Sequence, residues 1–290
     1  MEHSMSDQSP ITNYQSPITN YQPITIVKLG GTEGVDFSAI CQDAAELLNA
    51  GQRLVFVHGG SAEANWLGEA LGAPPKFITS PSGYTSRYTD RKTLEIFAMA
   101  VNGKVNTLLV ERLQRLGVNA LGLSGVDGRL MQASRKDAIQ SVENGKRKII
   151  RDDYTGKIEN VNAGLLLTLL KSGCLPVIAP LAVSEKGEAL NVDADRAAAM
   201  IASALKAETL VLLTAVPGLM QNFPDESTLL RQVRRERLSS LMEAAQGRMK
   251  KKVLGAEEAL NGGVRRVVIA DGRIQKPISN ALSGNGTVIQ

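Results

Sequence analysis

Short apolar runs alternate with amphipathic segments of helical length along most of this chain. The run at residues 24–29 is rich in β-branched side chains and stops at a glycine pair, and a helical pattern follows at 37–48. Because the later runs are also continuous rather than alternating, they predict a mainly parallel sheet that is covered on both faces. The fold class predicted is therefore α/β, a three-layer α/β/α sandwich. Further strands are predicted at 54–57, 120–123, 175–179, 210–214 and 264–269, and further helices after residue 60 and at 161–171, 194–205 and 250–260.

The segment 90–116 is predicted to be one long helix. Its apolar residues recur at spacings of three and four, Thr89 or Asp90 suits the N-cap, and Gly117 suits the end. A helix of this length often serves both a core and a subunit interface. We therefore expect a homodimer that forms through the 90–116 helix.

The alternation breaks between residues 134 and 157. Within this stretch 146–151 and 154–159 are predicted to pair as a β-hairpin at the edge of the sheet, so that a hairpin lies near 134–160. Seven basic residues against four acidic ones give it a net charge of +3, most of the +4 of the whole chain. Such a surface could steer an acidic partner, although a solvated, charged edge strand would look the same.

Domain boundaries are predicted on either side of this regular region. Residues 1–23 are polar and contain the heptapeptide SPITNYQ twice, which predicts a disordered N-terminal extension. The remainder is predicted to form two lobes, 24–183 and 184–290.

Composition excludes several classes of protein. An aromatic content of 4% disfavours a stacking platform for nucleic acid, and the basic residues are not massed in a groove. The two cysteines, Cys41 and Cys174, lack CxxC spacing and predict reduced thiols rather than a disulfide or a metal site. No apolar run is long enough to span a membrane or act as a signal peptide. We expect a cytoplasmic protein without nucleic-acid or membrane partners.

Glycine pairs follow two of the predicted strands, in Lys28-Leu-Gly-Gly31 and His58-Gly-Gly60. Ligands of parallel α/β sheets bind at the carboxyl ends of strands, where paired glycines let backbone N–H groups approach a phosphate or carboxylate. Tight turns alone would also explain them. Neither pair belongs to a Walker A or a GxGxxG motif, so a standard P-loop or nicotinamide enzyme is disfavoured.

Three charged positions add candidate chemistry. Lys28 lies within an apolar strand, where a charge is costly unless it faces a ligand or partner, or unless the strand is an edge. The run 248–252 opens a late helix and suits contact with a triphosphate, or else a solvated face. Asp195 would stand in the first turn of a helix capped by Asn191 or Asp193, where it could hold two lysines in register.

Six motifs occur in the order seen in amino-acid kinases of the acetylglutamate kinase group, and the resemblance covers about residues 24–289. Within that group the chain most resembles kinases that act on aminoadipate or glutamate attached to a LysW-type amino-group carrier protein, on account of residues 80–97, 122–129 and 135–156. The motifs are Lys28-Leu-Gly-Gly31, His58-Gly-Gly60, Ser86-Arg-Tyr-Thr-Asp90, Asn191-Val-Asp-Ala-Asp195, Leu213-Thr-Ala-Val-Pro-Gly218 and Gly247-Arg-Met-Lys-Lys-Lys252.

The resemblance implies ATP-dependent phosphorylation of the side-chain carboxylate of the carrier-linked substrate, in lysine and arginine biosynthesis. ATP with Mg²⁺ would be a substrate complex, without a tightly bound cofactor or a metal site of the protein. The implied catalytic residues are Lys28, Lys252 and Asp195; the implied substrate-binding residues are Gly59, Gly60, Ser61, Arg87 and Asn191; the implied ATP-binding residues are Gly30, Gly31, Thr214 and Gly218; and the basic residues proposed for the carrier are Arg135, Lys136, Lys146, Arg147, Lys148 and Arg151.

Three residues depart from the pattern of the group. Ser61 replaces a third glycine, Ala215 an aspartate, and Arg248 a glycine. Two alternatives stay open at this point: an acetylglutamate kinase of arginine biosynthesis that acts on the free small molecule, and a non-catalytic module that senses an amino acid.

Overall fold

A central sheet of eight strands organises the molecule, with the strand order β14-β16-β15-β13-β1-β2-β10-β5. A computed structural model describes residues 23–30, 34–81, 83, 85–143, 146–238, 240–241 and 247–290. The pairings from β15 to β5 are parallel, whereas β16 pairs antiparallel with β15. The strands are β1 Ile24–Leu29, β2 Arg53–His58, β3 Phe77–Thr79, β4 Thr85–Arg87, β5 Ala120–Ser124, β6 Met131–Arg135, β7 Ile139–Glu143, β8 Lys146–Ile150, β9 Gly156–Val161, β10 Leu175–Ala179, β11 Leu181–Val183, β12 Ala189–Asn191, β13 Thr209–Thr214, β14 Gln232–Val233, β15 Arg266–Asp271 and β16 Thr287–Ile289.

Helices cover both faces of this sheet, which confirms the three-layer α/β/α class. Alternate residues of β1 point to opposite faces: Ile26 packs into one apolar core with Ile201, and Val27 into the other with Ile40. None of the helices in the described ranges is long and apolar enough to cross a membrane. The helices are α1 Phe37–Asn49, α2 Ser61–Ala70, α3 Arg91–Ala98, α4 Thr107–Arg115, α5 Ala163–Lys171, α6 Ala194–Ala204, α7 Gly247–Asn261 and α8 Pro277–Leu282, with 3₁₀ turns at Asp127–Arg129, Glu226–Thr228 and Arg235–Arg237.

The predicted lobes share the central sheet. Strands β1, β2, β5 and β10 precede residue 184, and β13 to β16 follow it. They meet where β1 pairs with β13, in the register Thr25 to Thr209. The division into lobes at residue 184 stays a prediction, and residues 1–22 of the predicted extension lie outside the described residues.

The predicted pairing within the basic hairpin is wrong. Residues 146–150 form β8, which pairs antiparallel with β7 rather than with the segment after it. That later segment forms β9, which pairs with β6 in a separate sheet of order β12-β11-β6-β9. Both neighbours of β8 mix apolar and polar residues over a short stretch, so the sequence pattern did not distinguish them. From here "the basic hairpin" means β7 and β8.

The segment 91–115 is helical throughout, as predicted, but its centre has a wider turn. Between α3 and α4 the residues Met99–Asn106 form a π-helix, which we call the π segment. The side chain of Asp90 accepts a hydrogen bond from Thr93 N at 2.8 Å and caps α3. Such wide turns are rare and are found most often near functional sites.

Asp43 of α1 caps the last helix, α8, and its contribution to stability can be tested. This α1 carboxylate is almost completely buried, and its Oδ2 accepts hydrogen bonds from Ile278 N at 2.6 Å and Ser279 N at 2.9 Å at the start of α8. We expect Asp43→Ala to lower the free energy of unfolding by about 2–4 kcal/mol, because it leaves two buried N–H groups unpaired. The melting temperature of the variant, followed by circular dichroism, measures this.

The matched control is Glu46→Ala on the same helix. Glu46 forms an exposed ion pair with Lys276 at 2.8 Å, which should contribute little in water. An equal loss of melting temperature in both variants would contradict the capping role of Asp43.

Candidate active site

Two buried lysines share one buried carboxylate at the centre of the molecule. Lys28 Nζ lies 2.8 Å from Asp195 Oδ1, and Lys252 Nζ lies 3.1 Å from the same oxygen. The exposed fractions of Lys28, Asp195 and Lys252 are 6%, 7% and 6%. Since β1 is a central strand, Lys28 is not an edge lysine that points into water. The structure thus brings the three predicted catalytic residues together.

Burial and mutual attraction set the charges of this triad. Burial alone would raise the pKa of Asp195, but Lys252 and then Lys28 hold that pKa well below its usual range. Burial depresses the pKa of Lys28, and Asp195 more than compensates, so that this pKa is raised. For Lys252, burial together with repulsion from Lys28 outweighs Asp195 and lowers the pKa to about 8. The protonated triad carries one net positive charge, which suits an anionic ligand.

The start of α6 aims Asp195 at the lysines. Asp193 caps the helix, as one of the two predicted alternatives had it, by accepting hydrogen bonds from Asp195 N at 3.0 Å and Arg196 N at 3.2 Å. Helix α7 then crosses closely, since a Cβ at Gly255 would lie 3.2 Å from Asp195 O. Gly255 lies three residues after Lys252 and so faces the same way. The sequence patterns did not single it out.

The predicted substrate residues Arg87 and Asn191 belong to one hydrogen-bonded cluster. Asn191 Nδ2 donates to Thr89 Oγ1 at 3.0 Å, and that hydroxyl donates to Arg87 O at 3.1 Å. Thr89 N in turn donates to Asp153 Oδ2 at 3.0 Å. Thr89 and Asp153 are both buried. The sequence singled out Thr89 as a possible helix cap and as part of the motif at 86–90, but it did not predict the contact with Asp153.

Arg87 is linked to the turn Gly59–Gly60 that precedes α2, which we call the glycine turn. Its Nη2 donates to Asn65 Oδ1 at 2.5 Å and to Ser61 O at 3.3 Å. Burial lowers the pKa of this guanidinium, although it stays charged at neutral pH. The sequence analysis did not identify Asn65. Its position one helical turn after Ser61 could have indicated that it lies on the same face of α2. On the other side, Gly59 N donates to Leu29 O at 3.1 Å and joins the turn to β1.

Of the predicted ATP-binding residues, Gly30 and Thr214 lie at the carboxyl ends of β1 and β13. A Cβ at Gly30 would lie 3.0 Å from Leu213 O, a tight contact that favours glycine between these strands. Thr214 ends β13, and its carbonyl accepts a hydrogen bond from Gly272 N at 2.7 Å. Gly218 packs against β16, where a Cβ would lie 2.6 Å from Thr287 Oγ1. Gly31 lies outside the described residues, and the binding roles of the others stay predictions.

The six residues predicted to bind a carrier differ in their exposure. Arg135 is half-buried and donates from Nε to Asp153 O at 2.9 Å, while its guanidinium lies 3.7 Å from the ring centroid of Tyr154. It therefore anchors the segment that follows the basic hairpin. The exposed members of the set are Lys136, Lys146, Arg147, Lys148 and Arg151.

Comparison with known proteins identifies relatives over most of the chain. A model described as the amino acid kinase family matches residues 23–271. The chain is 59% identical over 264 residues to the "[LysW]-aminoadipate kinase" of Deinococcus radiodurans, covering 91% of this chain and 90% of that protein. It is 54% identical over 267 residues to the protein of the same name from Thermus thermophilus, covering 91% and 99%.

Solved structures share the fold. N-acetylglutamate synthase from Neisseria gonorrhoeae superposes with a TM-score of 0.75 at 27% identity, over 92% of this chain and 59% of that chain. The chain thus spans about three fifths of that protein. Carbamate kinase from Giardia lamblia, bound to AMP-PNP, superposes with a TM-score of 0.64 at 16% identity, over 93% and 98%, which shows the fold alone.

Proposed function

This chain belongs to the amino acid kinase family, and we propose from that premise that it phosphorylates a carboxylate carried by another protein. The acceptor is the side-chain carboxylate of L-2-aminoadipate, or of the shorter glutamate, whose amino group is attached to an acidic LysW-type carrier. ATP is the phosphoryl donor, and the setting is lysine biosynthesis, with arginine biosynthesis where glutamate is the acceptor. The products are ADP and an acyl phosphate.

The observation that carries this proposal is the buried triad of Lys28, Asp195 and Lys252. A carboxylate oxygen forms a bond to the γ-phosphorus while the bond from that phosphorus to the bridging oxygen of ADP breaks. The acceptor is already ionised, so no general base is needed, and positioning and charge stabilisation account for the catalysis. Two ammonium groups held by one carboxylate can neutralise the charge that develops on the phosphoryl oxygens. Catalysis by these residues is therefore a better account of the site than an amino-acid sensor without activity.

Arg87 and Asn191 are proposed to hold the acceptor. A guanidinium can bind a carboxylate through two parallel hydrogen bonds. Arg87 reaches the start of α2 through Ser61 O, and Asn191 is linked through Thr89 to the backbone of Arg87, which supports a shared role for the two side chains. The glycine turn and the start of α2 supply N–H groups for the reacting oxygens. Gly30, Gly31, Thr214 and Gly218 would hold the nucleotide.

Mg²⁺ is proposed to arrive with ATP. Within the described ranges no group of three or more His, Cys, Asp or Glu residues is placed to hold a metal ion. The triphosphate itself supplies oxygen ligands of the kind Mg²⁺ prefers. The ion would neutralise part of the phosphate charge, and the lysines would neutralise charge on the phosphoryl oxygens that do not bind the ion.

The proposal is tested by trapping the acyl phosphate with hydroxylamine. Acyl hydroxamate and ADP are measured with Mg-ATP and either carrier-linked aminoadipate, carrier-linked glutamate or free N-acetylglutamate. We expect turnover with a carrier-linked substrate only. Efficient turnover of free N-acetylglutamate would instead identify an acetylglutamate kinase, and no turnover of any acceptor would favour a sensor.

The pH dependence of the reaction is expected to follow Lys252. Because the pKa of Lys252 is lowered to about 8 by burial and by Lys28, its protonated fraction is lost as the pH rises through that value. We expect kcat/KM for Mg-ATP to fall tenfold per pH unit above about pH 8, as a profile of kcat/KM reports the free enzyme. Initial rates of ADP release from pH 6.5 to 9.5 measure it.

Lys252→Arg is the control, because guanidinium does not titrate in this range. The kcat/KM of this variant should not fall above pH 8. If kcat/KM falls at the same pH in the wild type and in Lys252→Arg, the group that titrates is not Lys252.

The basic hairpin is proposed as a docking surface for the acidic carrier. Lys146 and Arg147 are exposed on β8, and exposed opposite charges accelerate encounter more than they strengthen the final complex. We expect Lys146→Glu together with Arg147→Glu to raise KM for the carrier-linked substrate at least tenfold at low salt. The kcat and the KM for ATP should hardly change, and the defect should shrink in 0.5 M salt. Initial rates at varied carrier concentration measure it.

Lys171→Glu with Arg265→Glu is the matched control, since it makes the same charge change at exposed positions on α5 and before β15. A similar KM in both double variants would show that only net charge matters and would remove the hairpin from the interface.

The homodimer is proposed to form through the 90–116 helix. Met99 of the π segment and Leu108 of α4 are 50% and 43% exposed, and exposed apolar side chains that join into a patch mark interfaces. Sedimentation equilibrium of the wild type and of Met99→Glu tests it, with a monomeric wild type as the contradicting result.

A further inference from the structure

His58 is a buried histidine that neither the predicted site nor the proposed reaction uses. It ends β2 directly before the glycine turn, and its exposed fraction is 0%. Nδ1 lies 2.9 Å from Gly59 O, and Nε2 lies 2.9 Å from Asn106 Nδ2. Both ring nitrogens therefore have a partner.

These partners allow one arrangement of protons. The carbonyl of Gly59 can only accept, so Nδ1 carries the hydrogen, and Nε2 accepts from the amide of Asn106. Asn106 Nδ2 also donates to Val177 O at 2.9 Å. Turning the Asn106 amide over would set its oxygen against the Val177 carbonyl, so both neighbours select the orientation found. Burial, followed by the nearby charge of Lys28, lowers the pKa of His58 to about 4, and the ring is neutral at physiological pH.

The π segment holds Asn106 and the turn together. Asn106 is the last residue of that segment, and it packs so closely against Gly122 of β5 that a Cβ there would collide with its side chain. Earlier in the same segment Val101 covers the turn, where a Cβ at Gly60 would lie 2.7 Å from Val101 Cγ1. The π segment thus supplies one contact to His58 and one to Gly60.

The consequence concerns the peptide that joins Gly59 to Gly60. Its carbonyl is fixed, since Gly59 O accepts from His58 Nδ1, and the preceding peptide is fixed by the hydrogen bond from Gly59 N to Leu29 O. In a planar trans peptide the N–H points opposite to the C=O. Holding the Gly59 carbonyl against His58 therefore directs the N–H of Gly60, the N-cap residue of α2, away from the histidine.

We propose that His58 and Asn106 are positioning residues, which aim the Gly60 N–H at the phosphoryl group and the acyl oxygen during transfer. This rests on the proposed function, because that function places the reacting oxygens at the glycine turn. Asn106 fixes the tautomer of His58, and His58 fixes the peptide. Neither side chain contacts substrate.

The first test is the tautomer in the wild-type protein. The chain has two histidines, His3 and His58, so ring ¹⁵N signals are assigned by comparison with His58→Gln. We expect the His58 signals to show the Nδ1–H tautomer and not to move between pH 5.5 and 8. An Nε2–H tautomer, or titration in that range, would overturn the proposal whatever the variants do.

The second test replaces the donor by an acceptor of the same shape. Asn106→Asp should move the single ring proton from Nδ1 to Nε2 at pH 8, where the new carboxylate accepts it, so that His58 no longer donates to Gly59 O. The His58 signals should then become those of the Nε2–H tautomer, and kcat should fall 10- to 100-fold. The KM for ATP should change less than threefold. Thr107→Val is the matched control on the same helix, because the Thr107 hydroxyl only contacts Asn102 O at 3.2 Å; it should match the wild type.

The outcomes separate the two proposals. A wild type that forms no acyl hydroxamate removes the proposed function, whereas an active wild type with an equally active Asn106→Asp removes only the positioning role. A loss of kcat in Asn106→Asp with the His58 tautomer unchanged would also count against it, because the effect would then not pass through the histidine.

Discussion

Replacing Lys28 by methionine is expected to lower kcat for acyl phosphate formation about 10³-fold while the protein stays folded. Methionine keeps the length of the side chain but cannot neutralise charge on the phosphoryl oxygens. The variant leaves Lys252 and Asp195 as a neutral buried pair, joined at 3.1 Å. Since burying two cations with one anion is costly, we expect its melting temperature to equal or exceed that of the wild type. Hydroxamate formation and thermal unfolding are the measurements.

Lys251→Met is the matched control. Lys251 is the neighbour of Lys252 on α7 but contacts Asp193 at 3.4 Å from a more exposed position. We expect kcat of this variant to change much less than kcat of Lys28→Met. Full activity of Lys28→Met would remove charge stabilisation by the triad from the mechanism.

Replacing Asp195 by asparagine is expected to damage stability and activity together. The amide has the shape of the carboxylate but leaves Lys28 and Lys252 as two buried cations without a counter-charge. Removing one partner of a buried ion pair typically costs about 3–5 kcal/mol. The pKa values of both lysines should fall, and kcat at pH 7 should fall at least 10²-fold. Chemical denaturation and the rate of ADP release measure the two effects.

The double variant Asp195→Asn with Lys28→Met distinguishes charge from packing. One buried cation remains instead of two, so the melting temperature should recover part of the loss, while activity stays as low as in the single variants. An additive loss of stability would mean that the cost of Asp195→Asn comes from altered packing at the start of α6 rather than from unpaired charge.

Continuous apolar strands and glycine pairs made much of this fold predictable. Parallel strands bring their carboxyl ends to one edge, so Lys28 and the glycine turn were expected near one another, whereas Thr214 was implied only by the family resemblance. The position of Asp195 in the first turn of α6 followed from its cap. These inferences needed only local patterns and the rules of parallel sheets.

Other features depend on contacts between distant segments, which local patterns do not encode. The predicted partner of β8 was wrong because the pattern of apolar and polar residues is compatible with pairing to either neighbouring segment. The π segment has the apolar spacing of an ordinary helix, so the place of Asn106 beside His58 could not be read from it. Thr89 and Asp153 meet across 64 residues, and nothing in either local sequence indicates the other.

The place of β1 between β2 and β13 also affects how the chain behaves while it is being made. Its pairing from Thr25 to Thr209 spans 184 residues, so at typical rates of synthesis one side of this apolar strand waits roughly 10–40 s for its neighbour. During that time the charge of Lys28 interrupts a run that could otherwise recruit other nascent chains, as gatekeeper residues do. The lysine proposed to stabilise the phosphoryl group would thus first protect the newly made chain from aggregation.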